Sequence, residues 1–182
     1  QWESAFASVR QGNHEIFAIA DSLQPDYLSA FQGLHTYNPV GLPLAAATSQ
    51  YSAASLAARL QGKLFAATVL PGYQEAVFRA SSPVAQRADG ETYHSYWNIA
   101  RESQPHWILI TSFNEWHEGS EIEPSEEFGT TYLTQTAHEA EIWRSGETAG
   151  AEDAEGDRDG DGVRDDADYC PDWPGSEATD GC

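Results

Sequence analysis

Apolar positions in the first 145 residues fall into four short runs separated by longer amphipathic stretches. Residues 15–21 (EIFAIAD), 33–37 (GLHTY), 63–70 (KLFAATVL) and 107–113 (WILITSF) have the length and the aliphatic or aromatic content of strands. The first, third and fourth are almost continuously apolar, as strands covered on both faces are. Helical spacing fills the intervals. Residues 49–60 are rich in Ala and Leu. Residues 91–102 place Tyr93, Trp97 and Ala100 on one face with Tyr96 beside them. Residues 131–144 repeat the pattern with Tyr132, Leu133, Ala137, Ala140 and Trp143. Residues 22–30 are interrupted by Pro25 and make a poor helix.

Four strand–helix units in succession imply right-handed crossovers and a parallel sheet, an α/β fold. A doubly wound sheet and a (β/α)8 TIM barrel both fit this order; four βα units are half of a barrel. Polar and aromatic residues collect where the strands end: Asp21, Tyr37 and Asn38, Pro71-Gly72-Tyr73, and 114–118 (NEWHE). Barrel enzymes place their active sites at that edge.

Charge narrows the partners. The 182 residues hold 29 Asp and Glu against 9 Lys and Arg, a net charge of -20. Phosphate backbones need clustered cations, so nucleic acid is excluded as a partner. Residues 1–145 carry 16 acidic and 7 basic side chains, net -9, whereas 146–182 carry 13 and 2, net -11. The jump marks a boundary near Ser145. It suggests a partial barrel over 1–145, an acidic linker over 146–156 and a small irregular module over 157–182. No apolar run approaches the roughly 20 residues of a membrane span. The sequence has no Met and opens on Gln1-Trp2-Glu3-Ser4 without a basic or apolar leader, which reads as a piece of a longer chain or a processed product.

The densest chemistry is at the end of the fourth strand, where Asn114, Glu115, Trp116, His117 and Glu118 follow one another. An i, i+3 spacing on a single turn puts Glu115 and Glu118 on one side. Glycoside cleavage needs such a pair, one carboxyl protonating the leaving oxygen and the other serving as nucleophile or base. Neighbouring carboxylates drive their ionisations apart and so divide the roles. Trp116 and His117 supply a stacking surface and a hydrogen-bonding group for a sugar. A solvated acidic loop is the plain alternative. Zinc at His117 with Glu115 or Glu118 is a third, but the segment lacks the HExxH spacing and a second His. Elsewhere Trp97, Trp107 and Trp143 read as packing residues, and His35, on a strand, as a core histidine.

The segment 112–124 (SFNEWHEGSEIEP) resembles the signature of glycoside hydrolase family 99, the endo-α-mannosidases. Residues 31–37 (FQGLHTY) are similar to that family's FDGxYTY strand. Pro71-Gly72-Tyr73 with Arg79 and Arg87 resembles its PGY…R…R segment, and 90–97 (GETYHSYW) the helix start that follows. The resemblance spans about residues 12–144 and implies the C-terminal half of a TIM barrel. It implies that Glu115 removes the proton of the sugar 2-hydroxyl, whose oxygen attacks the anomeric carbon to give a 1,2-anhydro sugar. Glu118 would be the general acid and then the base for water, with net retention, one of the substrate-assisted exceptions to the two-carboxylate scheme. Tyr37 and Tyr73 would face an α-mannan or α-mannoside substrate beside Asn114, Trp116 and His117, with no cofactor for catalysis. Three departures bear on substrate preference: Gln32 for the Asp of FDG, Gln74-Glu75 for an Asp pair, and Ser120-Glu121 for Thr-Gln, which adds a negative charge beside the site. A sugar subsite draws walls from all eight loops of a barrel, so this stretch alone is expected not to turn over substrate.

The tail has its own order. Asp157, Asp159, Asp161, Asp165 and Asp168 stand at positions 1, 3, 5, 9 and 12 of a twelve-residue loop with Gly162 at position 6. That is the ligand order of a calcium loop, in which Val163 at position 7 offers its carbonyl. A disordered acidic tail is the alternative. With Asp168-Tyr169-Cys170-Pro171-Asp172 the segment resembles a thrombospondin type 3 repeat. The two cysteines, Cys170 and Cys182, are then expected to form a disulfide, which places the chain in an oxidising setting: secreted, periplasmic or at a cell surface. A calcium-binding spacer carrying a remnant barrel, and a glycosyltransferase-like barrel, stay open beside the hydrolase on sequence alone; the sequence leaves the oligomeric state undetermined.

Overall fold

A computed structural model of the chain describes residues 2–11, 16–75 and 78–146. The expected calcium ligands Asp157, Asp159, Asp161, Val163, Asp165 and Asp168 and the expected disulfide of Cys170 and Cys182 lie outside these residues. The chain divides into two compact units, Gln1–Ile122 and Glu123–Cys182.

The first unit holds helix α1 (Trp2–Gln11), strands β1 (Ile19–Asp21) and β2 (Gly33–His35), helix α2 (Leu44–Leu60) and strand β3 (Leu64–Val69). A short hairpin β4 (Tyr73–Gln74) and β5 (Val84–Ala85) follows, then helix α3 (Glu91–Glu102) and strand β6 (Trp107–Ile110). β1, β2, β3 and β6 form a four-stranded sheet in that order, and every neighbouring pair is parallel. The α/β fold with a parallel sheet is therefore as the apolar pattern implies.

β3 lies in the middle of the sheet, and all but its first residue are buried. The register aligns Gly33 with Leu64 and Ala66 with Trp107. Side chains alternate across a strand, so Leu34, Phe65, Ala67 and Val69 share one face; all four are fully buried. α2 and α3 pack against β3 and against each other. α2 turns Ala47, Tyr51, Ala54, Ser55 and Ala58 inward. Small residues at helical spacing let its backbone approach the sheet, and the one large member, Tyr51, meets Phe65 edge-on with ring centroids 5.7 Å apart. α3 buries Tyr93, Tyr96, Trp97, Ile99 and Ala100, the face its spacing implies.

Several expectations are corrected. α2 begins at Leu44, five residues earlier than its Ala-rich centre suggests, because Pro43 stands immediately before its first turn, where a missing N–H costs nothing. The second strand ends at His35 rather than residue 37. α1 and the β4–β5 hairpin carry no strong periodic signal and were not expected. β6 is an edge strand whose exposure alternates, so it is not covered on both faces. Trp107 is 48% exposed and does not belong to the core, whereas Trp97 does. Lys63, the only lysine, donates to the carbonyls of Leu28 and Phe31 and ties the start of β3 to the segment before β2.

In the second unit, α4 (Thr131–Ser145) buries Tyr132, Gln135 and Glu139. That face is more polar than the apolar spacing implies, and Ala137 is exposed.

Candidate active site

The expected site residues Tyr37, Tyr73, Glu115 and Glu118 follow the C-terminal ends of β2, β3 and β6. Tyr37 follows β2, and its backbone is fixed twice. Its N–H donates to Asp21 Oδ1 at 2.8 Å, and its carbonyl accepts from Thr111 Oγ1 at 2.6 Å. Thr68, in the middle strand, donates through its hydroxyl to the carbonyl of Thr36. Three strand ends thus set the position of one tyrosine.

After β6 the chain enters a 3-10 turn, Trp116–Glu118. Ser112 organises its entry: its Oγ accepts the Glu115 N–H at 2.8 Å and lies 3.0 Å from Ser120 Oγ. The N–H of Ser112 donates to the Ser120 carbonyl at 2.8 Å, and the N–H of Ile122 donates to the Ser112 carbonyl at 3.0 Å. The loop carrying both carboxylates is closed on itself at its base. Gly119 ends the turn with φ 58°, and a Cβ there would stand 3.3 Å from the Gln74 backbone. Handedness and space both call for glycine.

Within this frame the Tyr37 hydroxyl donates to Glu118 Oε2 at 3.0 Å. Partial burial, that hydrogen bond and the negative charges of Glu118 and Glu115, with Tyr73 adding to them, push the Tyr37 phenol up to about 12. Tyr73 is buried, and its phenol is also raised, first by desolvation, then by a hydrogen bond to Glu75 and by the field of Glu118. Both carboxylates and both tyrosines are therefore gathered in one electrostatic neighbourhood, with Glu115 and Glu118 half-buried. Such a set can hold a sugar hydroxyl, remove one proton and deliver another.

The other expected residues are at the rim. Asn114, Trp116 and His117 are exposed. His117 Nδ1 lies 3.9 Å from Glu115 Oε1, beyond hydrogen-bonding reach, and its ring faces Phe78 with centroids 4.9 Å apart. Among the described residues no three His, Cys, Asp or Glu side chains gather as metal ligands. Two buried acids have partners that the sequence pattern does not reveal. Glu121 does not add a bare charge beside the site: it is 5% exposed and pairs with Arg87 at 2.9 Å. Glu75 accepts from Tyr73 Oη at 2.9 Å and Ser82 Oγ at 3.2 Å and pairs with Arg79 Nε at 3.2 Å. Its position two residues after Tyr73, on the same side of an extended segment, was the available signal.

Residues 4–143 match the family described as glycosyl hydrolase family 99. The chain is 30% identical over 121 residues to the glycoprotein endo-alpha-1,2-mannosidase of Rattus norvegicus, covering 63% of this chain and 26% of that protein. It is 30% identical over 115 residues to a glycoprotein endo-alpha-1,2-mannosidase-like protein of Danio rerio, covering 60% and 26%. Among solved structures, the GH99 endo-alpha-mannosidase from Bacteroides thetaiotaomicron matches with a TM-score of 0.64 at 30% identity, over 74% of this chain and 46% of that one. The chain thus spans 26% of these curated relatives' length and 46% of the solved chain's.

Proposed function

Because the chain belongs to glycosyl hydrolase family 99, we propose that it is the catalytic-carboxylate half of a retaining endo-α-mannosidase. In this reading its sheet is four consecutive units of an eight-unit barrel. The observation that carries it is the pairing of Glu118 with Tyr37 beside Glu115. The Tyr37 proton occupies Glu118 Oε2 and leaves Oε1 for the glycosidic oxygen.

The chemistry follows from that placement. Glu115 takes the proton of the 2-hydroxyl, and O2 bonds to the anomeric carbon as the bond to the leaving oxygen breaks. Glu118 gives that oxygen its proton. The 1,2-anhydro sugar is then opened by water. Glu118 removes a proton from the water, the water oxygen bonds to the anomeric carbon, and O2 recovers its proton from Glu115. Two inversions give net retention. The tyrosines orient the sugar and need no cofactor. Trp116 and His117, exposed on the turn itself, offer an aromatic rim to an α-mannan or α-mannoside chain, and Asn114 a polar contact. In the full-length protein, Glu115→Gln and Glu118→Gln are each expected to reduce hydrolysis of α-mannosidic oligosaccharides about 100- to 10,000-fold. Absence of activity in the full-length wild type would sink the reading. The 182-residue stretch by itself is expected to be inactive.

We further infer that residues 157–168 bind one Ca2+ through Asp157, Asp159, Asp161, Val163, Asp165 and Asp168, that Cys170 and Cys182 are bridged, and that the protein works outside the reducing cytosol. The support is the ligand order of the loop. Calorimetric titration should give saturable heat that Asp161→Ala abolishes; dilution heat alone would reduce the tail to an acidic linker.

A further inference from the structure

The turn that carries both carboxylates is gripped from outside by one guanidinium. Arg87, in the connection from β5 to α3, directs Nη2 to the Gly119 carbonyl at 3.2 Å and the Glu121 carbonyl at 2.9 Å. The same nitrogen lies 2.9 Å from Glu121 Oε1, and the two side chains are only 12% and 6% exposed. Gly119 follows Glu118 directly, so the anchored carbonyl is one residue from the Glu118 side chain. On the far side, a Cβ at Gly72 would meet Arg87 Cγ at 2.5 Å. The arginine stem therefore crosses the backbone after β3 at a distance that glycine permits.

A buried ion pair is a poor stabiliser relative to apolar packing, since desolvation offsets its attraction. What it does well is fix geometry: the three oxygens, the Gly119 and Glu121 carbonyls and Glu121 Oε1, converge on the one nitrogen Nη2, whose N–H directions are fixed by the planar guanidinium. We propose that Arg87 and Glu121 are positioning residues for Glu118, a clamp that holds its carboxyl at the Tyr37 phenol in line with the leaving oxygen. The proposal rests on the hydrolase reading above. It assigns Glu121 to the orientation of the acid, not to contact with sugar.

The test uses Glu121→Gln and Arg87→Lys in the full-length protein. kcat/KM is compared on two substrates, one with a sugar leaving group and one with 2,4-dinitrophenolate, which departs without a proton. A misplaced acid should lower kcat/KM on the sugar leaving group about 30-fold and on the dinitrophenolate substrate about 3-fold or less. Equal losses on both, or no loss on either, would overturn the proposal, because a partly unfolded enzyme loses both alike. Amide hydrogen exchange separates this outcome from failure of the hydrolase reading. In Glu121→Gln, exchange at Glu118 and Gly119, whose N–H groups bond within the turn, should quicken about tenfold while β3 stays protected. If the wild type cleaves neither substrate, the hydrolase reading fails and exchange alone decides the clamp: quickening confined to the turn upholds it, and unchanged exchange overturns it.

Discussion

Tyr37 and Glu118, 81 positions apart, meet through a 3.0 Å hydrogen bond in which the phenol donates. Each end is fixed separately. Asp21 and Thr111 hold the Tyr37 backbone, and Ser112 with Arg87 holds the turn bearing Glu118. The contact is thus a product of two frames brought together by the sheet.

Tyr37→Phe removes the donor and keeps the ring. A hydrogen bond to a charged group contributes roughly 1.5–3 kcal/mol, so kcat/KM of the full-length enzyme should fall about 10- to 100-fold. Circular dichroism should show the fold intact. A variant with wild-type kinetics would detach Tyr37 from the mechanism.

Alkaline stability should follow the tyrosines. Tyr37 is raised to about 12, and burial raises Tyr51, Tyr73 and Tyr96 as well. A phenol whose folded value exceeds its unfolded value stabilises the fold fully below the unfolded value, and that contribution disappears as pH rises through the folded one. Stability should therefore hold up to about pH 10 and decline from there toward about 12. Urea midpoints across that window check it, with a shallower decline in Tyr37→Phe. Midpoints that stay level across the window contradict it.

Tyr51 is fully buried and donates to the Thr68 carbonyl at 2.7 Å. Tyr51→Phe leaves that carbonyl short of a partner, and a cost of about 1–2 kcal/mol is expected in chemical denaturation. Because Tyr51 is on the helix-facing side of the sheet, kcat should stay at its wild-type value.

Glu75→Ala strips Tyr73 and Ser82 of a shared acceptor. Tyr73 then loses the second of the influences that raise its phenol, and its ionisation should move down. Turnover should drop about tenfold, the scale of one lost charged hydrogen bond. Spectrophotometric titration against a Tyr73→Phe control reads the first effect, and steady-state kinetics the second.

Local pattern carried much of this. The continuous apolar run of β3, the Tyr93–Trp97–Ala100 spacing of α3 and the carboxylate pair after β6 are short-range signals, set by side-chain periodicity and visible before any contact is known. Weak or edge elements were the failures: the two-residue strands β4 and β5 have no period to detect, and Trp107 looks like core until β6 is seen at the sheet edge.

What the sequence determined by itself was the order of the four sheet strands and of the helices α2, α3 and α4, the location of the acidic turn, and a family likeness carried by residues 112–124. Tertiary structure alone decided which charges are spent on one another. Glu121 and Glu118 are both acids in one loop, yet one is buried on Arg87 and the other is turned to Tyr37. That division depends on contacts 34 and 81 residues apart, and a chain's local preferences carry no information about which distant group will arrive there.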